Sequence, residues 1–239
     1  MPPIAQISAF THRGRVRAQN EDTIVVGDWV SPPEMDTPRV FRQPLSAPLV
    51  CAIADGMGGH SAGEVASRTA AQAVAGAGEL ASLERVRACL QQIDDALNHM
   101  MVEDVALAGM GTTIAGLVLR DPLIWFNVGD SRLYDCSGGR LAQVSVDDTP
   151  AGPRSGLITQ SLGGGLPEAP VPHVGAAPLT LPARFLLCSD GVTDMLEDDD
   201  IADCLALPDA DAVLQLFDLA MRAGGMDNVS VVVARVEED

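Results

Sequence analysis

Four acidic residues stand at the ends of apolar segments, and this repeated arrangement is the first sign of chemistry in the sequence. Asp55, Asp130 and Asp190 each close an apolar run beside a glycine, whereas Asp227 opens one. If these runs are neighbouring strands, their carboxylates meet at one edge of the sheet. Carboxylates held together repel one another unless cations or protons neutralise them, and hard oxygen ligands suit Mg²⁺ or Mn²⁺. The pattern therefore predicts a divalent metal centre.

A turn is the simpler explanation for any one of these positions, because Asp-Gly is a common turn dipeptide. The repetition at several strand ends is harder to explain in that way. The segment Asn20-Glu21-Asp22 adds two carboxylates at the head of another predicted strand. We therefore favour metal ligation over turn formation for the set as a whole.

The elements that must position these residues are mostly strands. Apolar or alternating runs bounded by turn residues predict strands along the whole chain. They lie near 4–10, 22–28, 49–54, 112–119, 123–128, 131–136, 140–146, 184–189 and 228–236. The short connections between many of these runs favour antiparallel hairpins over a regular alternation of strand and helix.

Helices are predicted in two parts of the chain. The first helix, 61–76, begins with a capping box at its first residue. Ser82 caps a second helix, 83–100, which carries an apolar stripe along one face. A third helix is predicted at 209–222. Helices grouped apart from the strands indicate that they cover the outer faces of packed sheets.

The composition excludes several classes of function. The chain has 239 residues, 47% of them hydrophobic, which is typical of a globular protein. Its net charge of −18 argues against binding to nucleic acid or to an anionic membrane surface. The five cysteines form no CxxC pair, which indicates neither a zinc site nor a disulfide framework. Because the sequence shows no apolar span and no secretion signal, we expect a cytoplasmic protein.

Six motifs follow one another in an order that is typical of one family. They are 17–22 (RAQNED), 54–64 (ADGMGGHSAGE), 111–113 (GTT), 128–132 (VGDSR), 189–191 (SDG) and 227–230 (DNVS). Together they resemble the bacterial branch of the PP2C-type (PPM) phosphatases, and the resemblance spans nearly the whole chain. It implies an α+β fold, a four-layer α-β-β-α sandwich with two packed, mainly antiparallel sheets and helices on the outer faces.

The resemblance also implies a ligand set for two Mn²⁺ or Mg²⁺ ions. Asp55 would bridge the ions, with Asp190 and Asp227 completing the protein ligands of the first. Glu21 and the Gly56 carbonyl would hold the second. A water shared by two cations has a lowered pKa and can attack phosphorus in line with the leaving oxygen. The implied activity is hydrolysis of phosphoserine and phosphothreonine in proteins, without a phosphoenzyme.

Two residues of the first motif are assigned to the substrate and to water. The Arg17 guanidinium can bind two phosphate oxygens at once. The alternative is a solvated basic strand face, since Arg13, Arg15 and Arg17 alternate with period two, and we prefer this alternative for Arg13 and Arg15. Asp22 resembles the family's acid that holds a metal-bound water rather than the metal itself.

Asp130, His60 and Asp194 each have two interpretations. Asp130 corresponds to the residue that, with Asp190, can hold a third metal in related bacterial enzymes, or it is an Asp in a hairpin turn. His60 is a proton donor or a water-positioning residue, or else a loop histidine near the helix start. For Asp194 we prefer a structural role, as a turn or capping acid.

Two segments depart from the family pattern. The flap that usually lies beside the active site is shortened here, around 147–165, so we expect a more open metal edge. The Pro-rich segments 31–48 and 149–182 are predicted to be surface excursions, the first longer than usual. The whole chain, 1–239, is predicted to form a single PP2C-like domain.

The expected partners are phosphorylated proteins that a Ser/Thr kinase has modified, and we expect a monomer. Two other interpretations stay open. A catalytically impaired module that only binds phosphoproteins would lack metal ligands, and none is missing. A dinucleotide site at 56–61 (GMGGHS) nearly matches GxGxxG, but Asp55 would face the pyrophosphate and the hairpin-rich remainder supplies no parallel sheet.

Overall fold

The computed structural model describes residues 1–58, 62–150, 157–165 and 168–239, and the elements below belong to this part of the chain. The strands are β1 (Ile4–His12), β2 (Asp22–Val26), β3 (Trp29–Val30), β4 (Arg39–Pro44), β5 (Leu49–Met57), β6 (Gly111–Thr112), β7 (Ile114–Leu119), β8 (Leu123–Val128), β9 (Arg132–Asp135), β10 (Ala142–Gln143), β11 (Leu162–Gly163), β12 (His173–Ala177), β13 (Ala183–Cys188) and β14 (Val229–Glu237). The α-helices are α1 (Ala62–Gly76), α2 (Leu83–Glu103), α3 (Asp190–Thr193), α4 (Asp198–Cys204) and α5 (Asp209–Ala223).

The strands form two sheets, and the strand pairs of the described residues are antiparallel. One sheet has six strands in the order β10-β9-β13-β14-β1-β4. The other has eight, with β11-β6-β5-β7-β8-β12 as its main path, β2 attached to β5 and β3 attached to β2. The predicted antiparallel hairpins are confirmed.

Three apolar layers hold the sheets and helices together. Ile7 and Leu187 belong to the layer between the two sheets. Leu90 of α2 packs with Ile114 between the eight-stranded sheet and its helices α1 and α2. Leu216 of α5 lies in a third layer, beneath the helices of the six-stranded sheet. This order of helices, sheet, sheet and helices confirms the predicted four-layer α+β sandwich.

The three long helices form where their sequence signals predict them. Ser82 caps α2, and its hydroxyl accepts a hydrogen bond from the backbone N–H of Arg85 at 3.3 Å. The buried side of α2 carries its apolar stripe, as the spacing indicates. Ser61, the predicted capping residue of α1, lies outside the described residues.

The prediction that 31–48 is a loop is wrong in part, because Arg39–Pro44 forms β4 at the edge of a sheet. Most of its residues are exposed, so the strand lacks the apolar alternation that would reveal it. Phe41 is the residue that anchors it, with its ring centroid 5.2 Å from that of Trp29. Pro44 is tolerated because an edge strand has backbone donors that need no partner.

Other local predictions also fail for physical reasons. The segment 149–182 contains the short strands β11 and β12, which pair with β6 and β8. The helices α3 and α4 were not predicted, since four and seven residues are too few to show a helical period. The basic residues 13–17 lie in a turn between β1 and β2, so the alternating basic strand face does not form.

Strand direction brings the acidic positions to one edge of the sandwich. β5 ends at this edge and β2 begins there, because Asp22 and Asp55 are direct partners in the antiparallel register. β13 likewise ends where β14 begins, since Cys188 pairs with Val231. The acidic residues beside these strand ends therefore share one region, as the sequence predicts.

A buried carboxylate fixes the segment that follows β10 against this edge. One oxygen of Asp148 accepts a hydrogen bond from the Gly129 N–H at 2.9 Å. The other accepts one from the Gln160 side chain at 2.6 Å and lies 2.9 Å from Nε2 of His173. The Asp148 carbonyl also accepts a hydrogen bond from the Thr159 N–H at 2.7 Å. Asp148 therefore joins the residue before Asp130, the segment 157–165 and β12.

Replacing Asp148 by alanine should destabilise the protein by about 2–4 kcal/mol, because three donors lose their buried acceptor. The free energy of unfolding, measured by urea denaturation, checks this. Asp218, exposed on α5, provides the control: Asp218→Ala should change the same quantity by no more than about 0.5 kcal/mol. Equal stability of the two variants would contradict a bracing role for Asp148.

Candidate active site

A cavity of about 280 Å³ opens at the edge where the acidic strand ends meet. It is lined by Arg17, Glu21, Asp55, Gly56, Met57, Gly58, Thr113, Asp130, Ile158, Asp190, Asp194 and Asp227. The sequence-predicted ligands Glu21, Asp55, Gly56, Asp130, Asp190 and Asp227 are all in this set, together with Arg17. The cavity, called here the acidic cavity, thus brings together seven of the nine predicted site residues.

Of the two others, His60 lies outside the described residues and Asp22 lies beneath the cavity wall. Asp22 is buried, and its Oδ2 accepts a hydrogen bond from the Ser189 hydroxyl at 2.8 Å. The Ser189 oxygen in turn accepts the Ser230 N–H at 3.1 Å. Asp22 therefore supports the strand ends that carry Asp55 and Asp190 instead of facing the cavity.

The backbone around Glu21 is packed so closely that only glycine fits opposite it. A Cβ on Gly56 would lie 2.1 Å from the Gly63 carbonyl oxygen, and a Cβ on Gly63 would lie 2.8 Å from the carboxyl carbon of Glu21. The Gly56 N–H donates to the Glu21 carbonyl at 3.1 Å. Burial raises the pKa of Glu21. This side of the cavity therefore holds a carboxylate against the first turn of α1.

Backbone hydrogen bonds fix Asp55 and the neighbouring strand end. The Asp55 carbonyl accepts hydrogen bonds from the Thr113 N–H and from the Thr112 hydroxyl, each at 2.8 Å. On the opposite wall, a Cβ on Gly191 would lie 1.9 Å from the Asn228 carbonyl oxygen, so α3 and the start of β14 meet in direct backbone contact. The carboxylates of Asp55 and Asp190 thus project from a rigid frame.

Asn228 attaches the loop that carries Arg17 and Glu21 to the rest of the site. Its side-chain oxygen accepts the Glu21 N–H at 2.8 Å. Its side-chain nitrogen donates to the carbonyls of Arg13 at 3.0 Å and Gln19 at 2.9 Å. One amide side chain therefore secures both ends of the loop, a role that the Asp227-Asn228 motif alone did not reveal.

Arg17 forms an ion pair across the mouth of the cavity. Its Nη2 donates to Oδ2 of Asp227 at 2.5 Å, while Oδ1 of the same carboxylate accepts the Asn228 N–H at 2.8 Å. Burial opposes the charge of Arg17, but the charge and hydrogen bond of Asp227 outweigh it and raise the pKa of Arg17. Because the guanidinium is half-exposed and has five donors, further N–H groups remain for a ligand in the cavity.

Burial and mutual repulsion raise the pKa of the carboxyl groups in this region. Burial, then the charge of Asp227, raises the pKa of Asp190 to about 8. For Asp130, burial is the largest cause of a pKa that rises to about 6. Burial followed by the charges of Asp22 and Asp190 raises the pKa of Asp55 well above its ordinary range. Crowding in the site therefore favours protonated carboxyl groups, whereas nearby cations would stabilise their ionised forms.

The donor set of the acidic cavity fits a hard divalent cation, because it consists of carboxylate and carbonyl oxygens. Oδ1 of Asp190 is buried and has no hydrogen-bond partner among the described residues, so it is free to ligate. Among these same residues, no three His, Cys, Asp or Glu side chains already stand in the arrangement of a metal site. Ligation therefore requires side-chain rotation within the cavity, against the repulsion that favours separation.

Some residues of the cavity were not predicted as site residues. Asp194, interpreted from sequence as structural, follows α3 and lines the cavity with an exposed side chain. Ile158 lines it from the segment that Asp148 braces. Thr113 was part of a quoted motif, but the motif alone did not show that it reaches the cavity. The signal for Asp194 was its spacing of four from Asp190, which places it one helical turn away.

None of the helices in the described part of the chain combines the length and the apolar character that crossing a lipid bilayer requires.

The chain is similar in sequence to known protein phosphatases. A sequence model described as Protein phosphatase 2C matches residues 38–227. The serine/threonine protein phosphatase PstP of Mycobacterium tuberculosis is 33% identical over 98% of this chain, although the chain spans only 45% of the length of that protein. Protein phosphatase PhpP of Streptococcus pneumoniae is 30% identical, with 98% of each chain covered.

Solved structures show the same fold. The crystal structure of the catalytic domain of PstP in complex with two manganese ions has a TM-score of 0.79 and 32% identity, covering 99% of this chain and 100% of that one. The matches in sequence extend over most of the chain, and those in structure extend over nearly all of it. Motif residues also line one cavity. The chain belongs to the protein phosphatase 2C family.

Proposed function

We propose that this chain is a metal-dependent phosphatase that hydrolyses phosphoserine and phosphothreonine in proteins. The observation that carries the proposal is the convergence of Asp55, Asp190, Asp227 and Glu21 with the Arg17 guanidinium in one cavity. Carboxylates alone would repel a phosphate, so a phosphatase site of this composition needs cations. Family membership and the names of the relatives, a serine/threonine protein phosphatase and a protein phosphatase, support the same activity.

The proposed cofactors are two Mn²⁺ or Mg²⁺ ions. Asp55 would serve both, Asp190 and Asp227 would complete the protein ligands of one, and the other would take Glu21 and the Gly56 carbonyl. These assignments rest on the motif positions and on the common cavity that these residues line. When bound, such ions act as Lewis acids on phosphoryl oxygens and lower the pKa of a water that they share.

The residues of the chain supply the orientation. Arg17 would bind two oxygens of the substrate phosphate, and its ion pair with Asp227 holds the guanidinium at the cavity mouth. A fixed guanidinium loses less side-chain freedom when the phosphate binds than a mobile one would. Asn228 would keep Arg17 and Glu21 in register with Asp227, since it bonds to both ends of their loop.

Three assignments are made from motif position. Asp22 would orient water next to the ligands, and its buried bond to Ser189 supports a role behind Asp55 rather than in contact with the metal. Asp130 lines the cavity and would join Asp190 in a third cation site. His60 would donate a proton to the leaving oxygen or position a water.

The proposed substrates are phosphorylated proteins, modified by a Ser/Thr kinase, and the proposed unit is a monomeric single domain over 1–239. The three contiguous apolar layers of the sandwich support one domain. The alternative is a catalytically impaired module that only binds phosphoproteins. Retention of all the proposed metal-ligand carboxylates in the acidic cavity favours the enzyme.

Substituting Asp190 by asparagine should lower kcat/KM for a phosphothreonine peptide by about 100-fold or more in the presence of Mn²⁺, because a charged ligand becomes neutral. EDTA should abolish the activity of the unmodified chain. Calorimetric titration with MnCl₂ should show weaker binding by the variant than by the unmodified chain, which gives a readout that does not depend on turnover.

The same chemical change at an exposed position is the control: Asp218→Asn should keep both activity and Mn²⁺ affinity within about twofold. Thermal unfolding of each variant shows whether it is folded. Activity that survives both chelation and Asp190→Asn would contradict the metal mechanism. Phosphopeptide binding without any hydrolysis would favour the impaired module.

Arg17→Ala should reduce kcat/KM for the phosphothreonine peptide by about 10- to 100-fold, since a charged hydrogen bond to phosphate contributes about 1.5–3 kcal/mol. Arg17→Lys should fall between this variant and the unmodified chain, because an ammonium keeps the charge but loses the two-pronged geometry. Steady-state kinetics measure both. Arg140, exposed beyond β9, is the control position. If Arg17→Ala lost no more activity than Arg140→Ala, Arg17 would not bind the phosphate.

A further inference from the structure

Two segments lie side by side at the mouth of the acidic cavity and form one continuous edge. They are Gly14–Arg17 and Gly225–Asp227, called here the Arg15 rim. The Arg15 N–H donates to the Gly225 carbonyl at 2.8 Å, and the Arg17 side chain bonds to Asp227. A Cβ on Gly14 would lie 2.1 Å from the Asp227 carbonyl oxygen, so the two backbones are in direct contact. The rim is therefore a built surface and not a loose loop.

Arg15 is an exposed cation with no ion-pair partner among the described residues, although the chain carries a net charge of −18. Its neighbours differ: Arg13 lies 3.3 Å from Glu34, and Arg17 is paired with Asp227. The unpaired guanidinium is thus next to the residue that would bind the phosphate. Such a charge is available to an anionic partner.

The stem of Arg15 is supported by the rim. Gly225 has φ +57, and a Cβ there would lie 3.1 Å from Cγ of Arg15 and 2.9 Å from Sδ of Met221. The side chain therefore lies across a glycine that leaves room for it. Because this contact restricts the stem, Arg15 has less freedom to lose when it forms an ion pair.

Two exposed apolar side chains complete the rim. Val16 is 59% exposed and Met226 is 53% exposed. Val16 lies between Arg15 and Arg17 in one segment, and Met226 lies between Gly225 and Asp227 in the other. Both side chains are thus next to the two contacts that join the segments, Arg15 to Gly225 and Arg17 to Asp227. Val16 and Met226 thus form an apolar surface with the Arg15 cation at one end. Such a surface fits an extended peptide in which an apolar contact is followed by an acidic side chain.

We propose that the Arg15 rim binds the substrate residues next to the phosphorylated one and selects an acidic side chain there. The proposal rests on the proposed phosphatase activity, in which Arg17 binds the phosphate. Arg15 and Arg17 are two residues apart, a separation of at most about 7 Å along the backbone. An extended peptide advances about 3.3 Å per residue, so a carboxylate two positions from the phosphorylated residue reaches Arg15. Arg15 is thus a specificity-determining residue.

Kinetics with matched peptides test this selection. All the peptides share one sequence around a phosphothreonine. The two peptides of the first pair differ in having glutamate or glutamine two residues before the phosphothreonine, and those of the second pair differ in the same way two residues after it. The unmodified chain with Mn²⁺ should favour the glutamate peptide of one pair about 5-fold in kcat/KM, as expected for an exposed ion pair. The preference should decline in 1 M NaCl, because the Debye length falls to about 3 Å and exposed charges farther apart than this are screened.

Substitution of Arg15 should remove this preference. Arg15→Gln should bring the glutamate-to-glutamine ratio of kcat/KM to about one, and Arg15→Glu should invert it, because the rim then repels the acid. Arg140→Glu, the same reversal at an exposed arginine remote from the rim, should leave the ratio of the unmodified chain. A ratio that is the same in the Arg15 variants and the unmodified chain, or no preference in either pair, would overturn the proposal.

The result also separates this proposal from the one on which it rests. Failure of the unmodified chain to hydrolyse any of the peptides, or p-nitrophenyl phosphate, would refute the phosphatase activity. In that case, fluorescence anisotropy with labelled peptides measures how much more tightly the glutamate peptide binds than the glutamine peptide. An Arg15-dependent preference in binding would support the rim without catalysis, and its absence would refute the rim as well.

Discussion

Asp55, Asp190 and Asp227 are held at one edge of the sandwich although their charges repel one another in a partly buried cavity. Folding brings them together because β13 and β14, which flank Asp190 and Asp227, are antiparallel neighbours in one sheet. β5, which carries Asp55, belongs to the other sheet and packs against them through the apolar layer between the sheets. Burial of apolar side chains in the hydrophobic layers offsets the destabilisation that the crowded carboxylates cause. Arg17 neutralises one of the charges, and the rest of the site is organised so that cations complete it.

The frame around these carboxylates depends on backbone contacts more than on side chains. Gly56, Gly63 and Gly191 allow segments to touch where any Cβ would collide with a carbonyl or a carboxyl group. Asn228 then joins the loop of Arg17 to the start of β14. Because such a frame is rigid, a ligand meets carboxylates whose backbone is already fixed, so that only side-chain rotation has to be ordered on binding.

The sequence was sufficient to predict the fold class and the common location of the cavity residues, because motif order and apolar runs are local signals. It did not reveal β4, whose exposed residues show no alternation. Nor did it reveal the brace formed by Asp148 with Gln160 and His173, which follow it by 12 and 25 residues with no periodic pattern. It also placed Arg15 on a strand face. The contact of Arg15 with Gly225 depends on a register between distant segments, and no local pattern reports it.

In the proposed enzyme, the carboxylates of the acidic cavity hold two divalent ions. Crystals of the protein grown with MnCl₂, with data collected on both sides of the manganese absorption edge, test this proposal most directly. We expect two anomalous peaks inside the cavity, both within ligand distance of Asp55, one next to Asp190 and Asp227 and the other next to Glu21. Manganese peaks elsewhere in the crystal, with none in the cavity, would contradict the account.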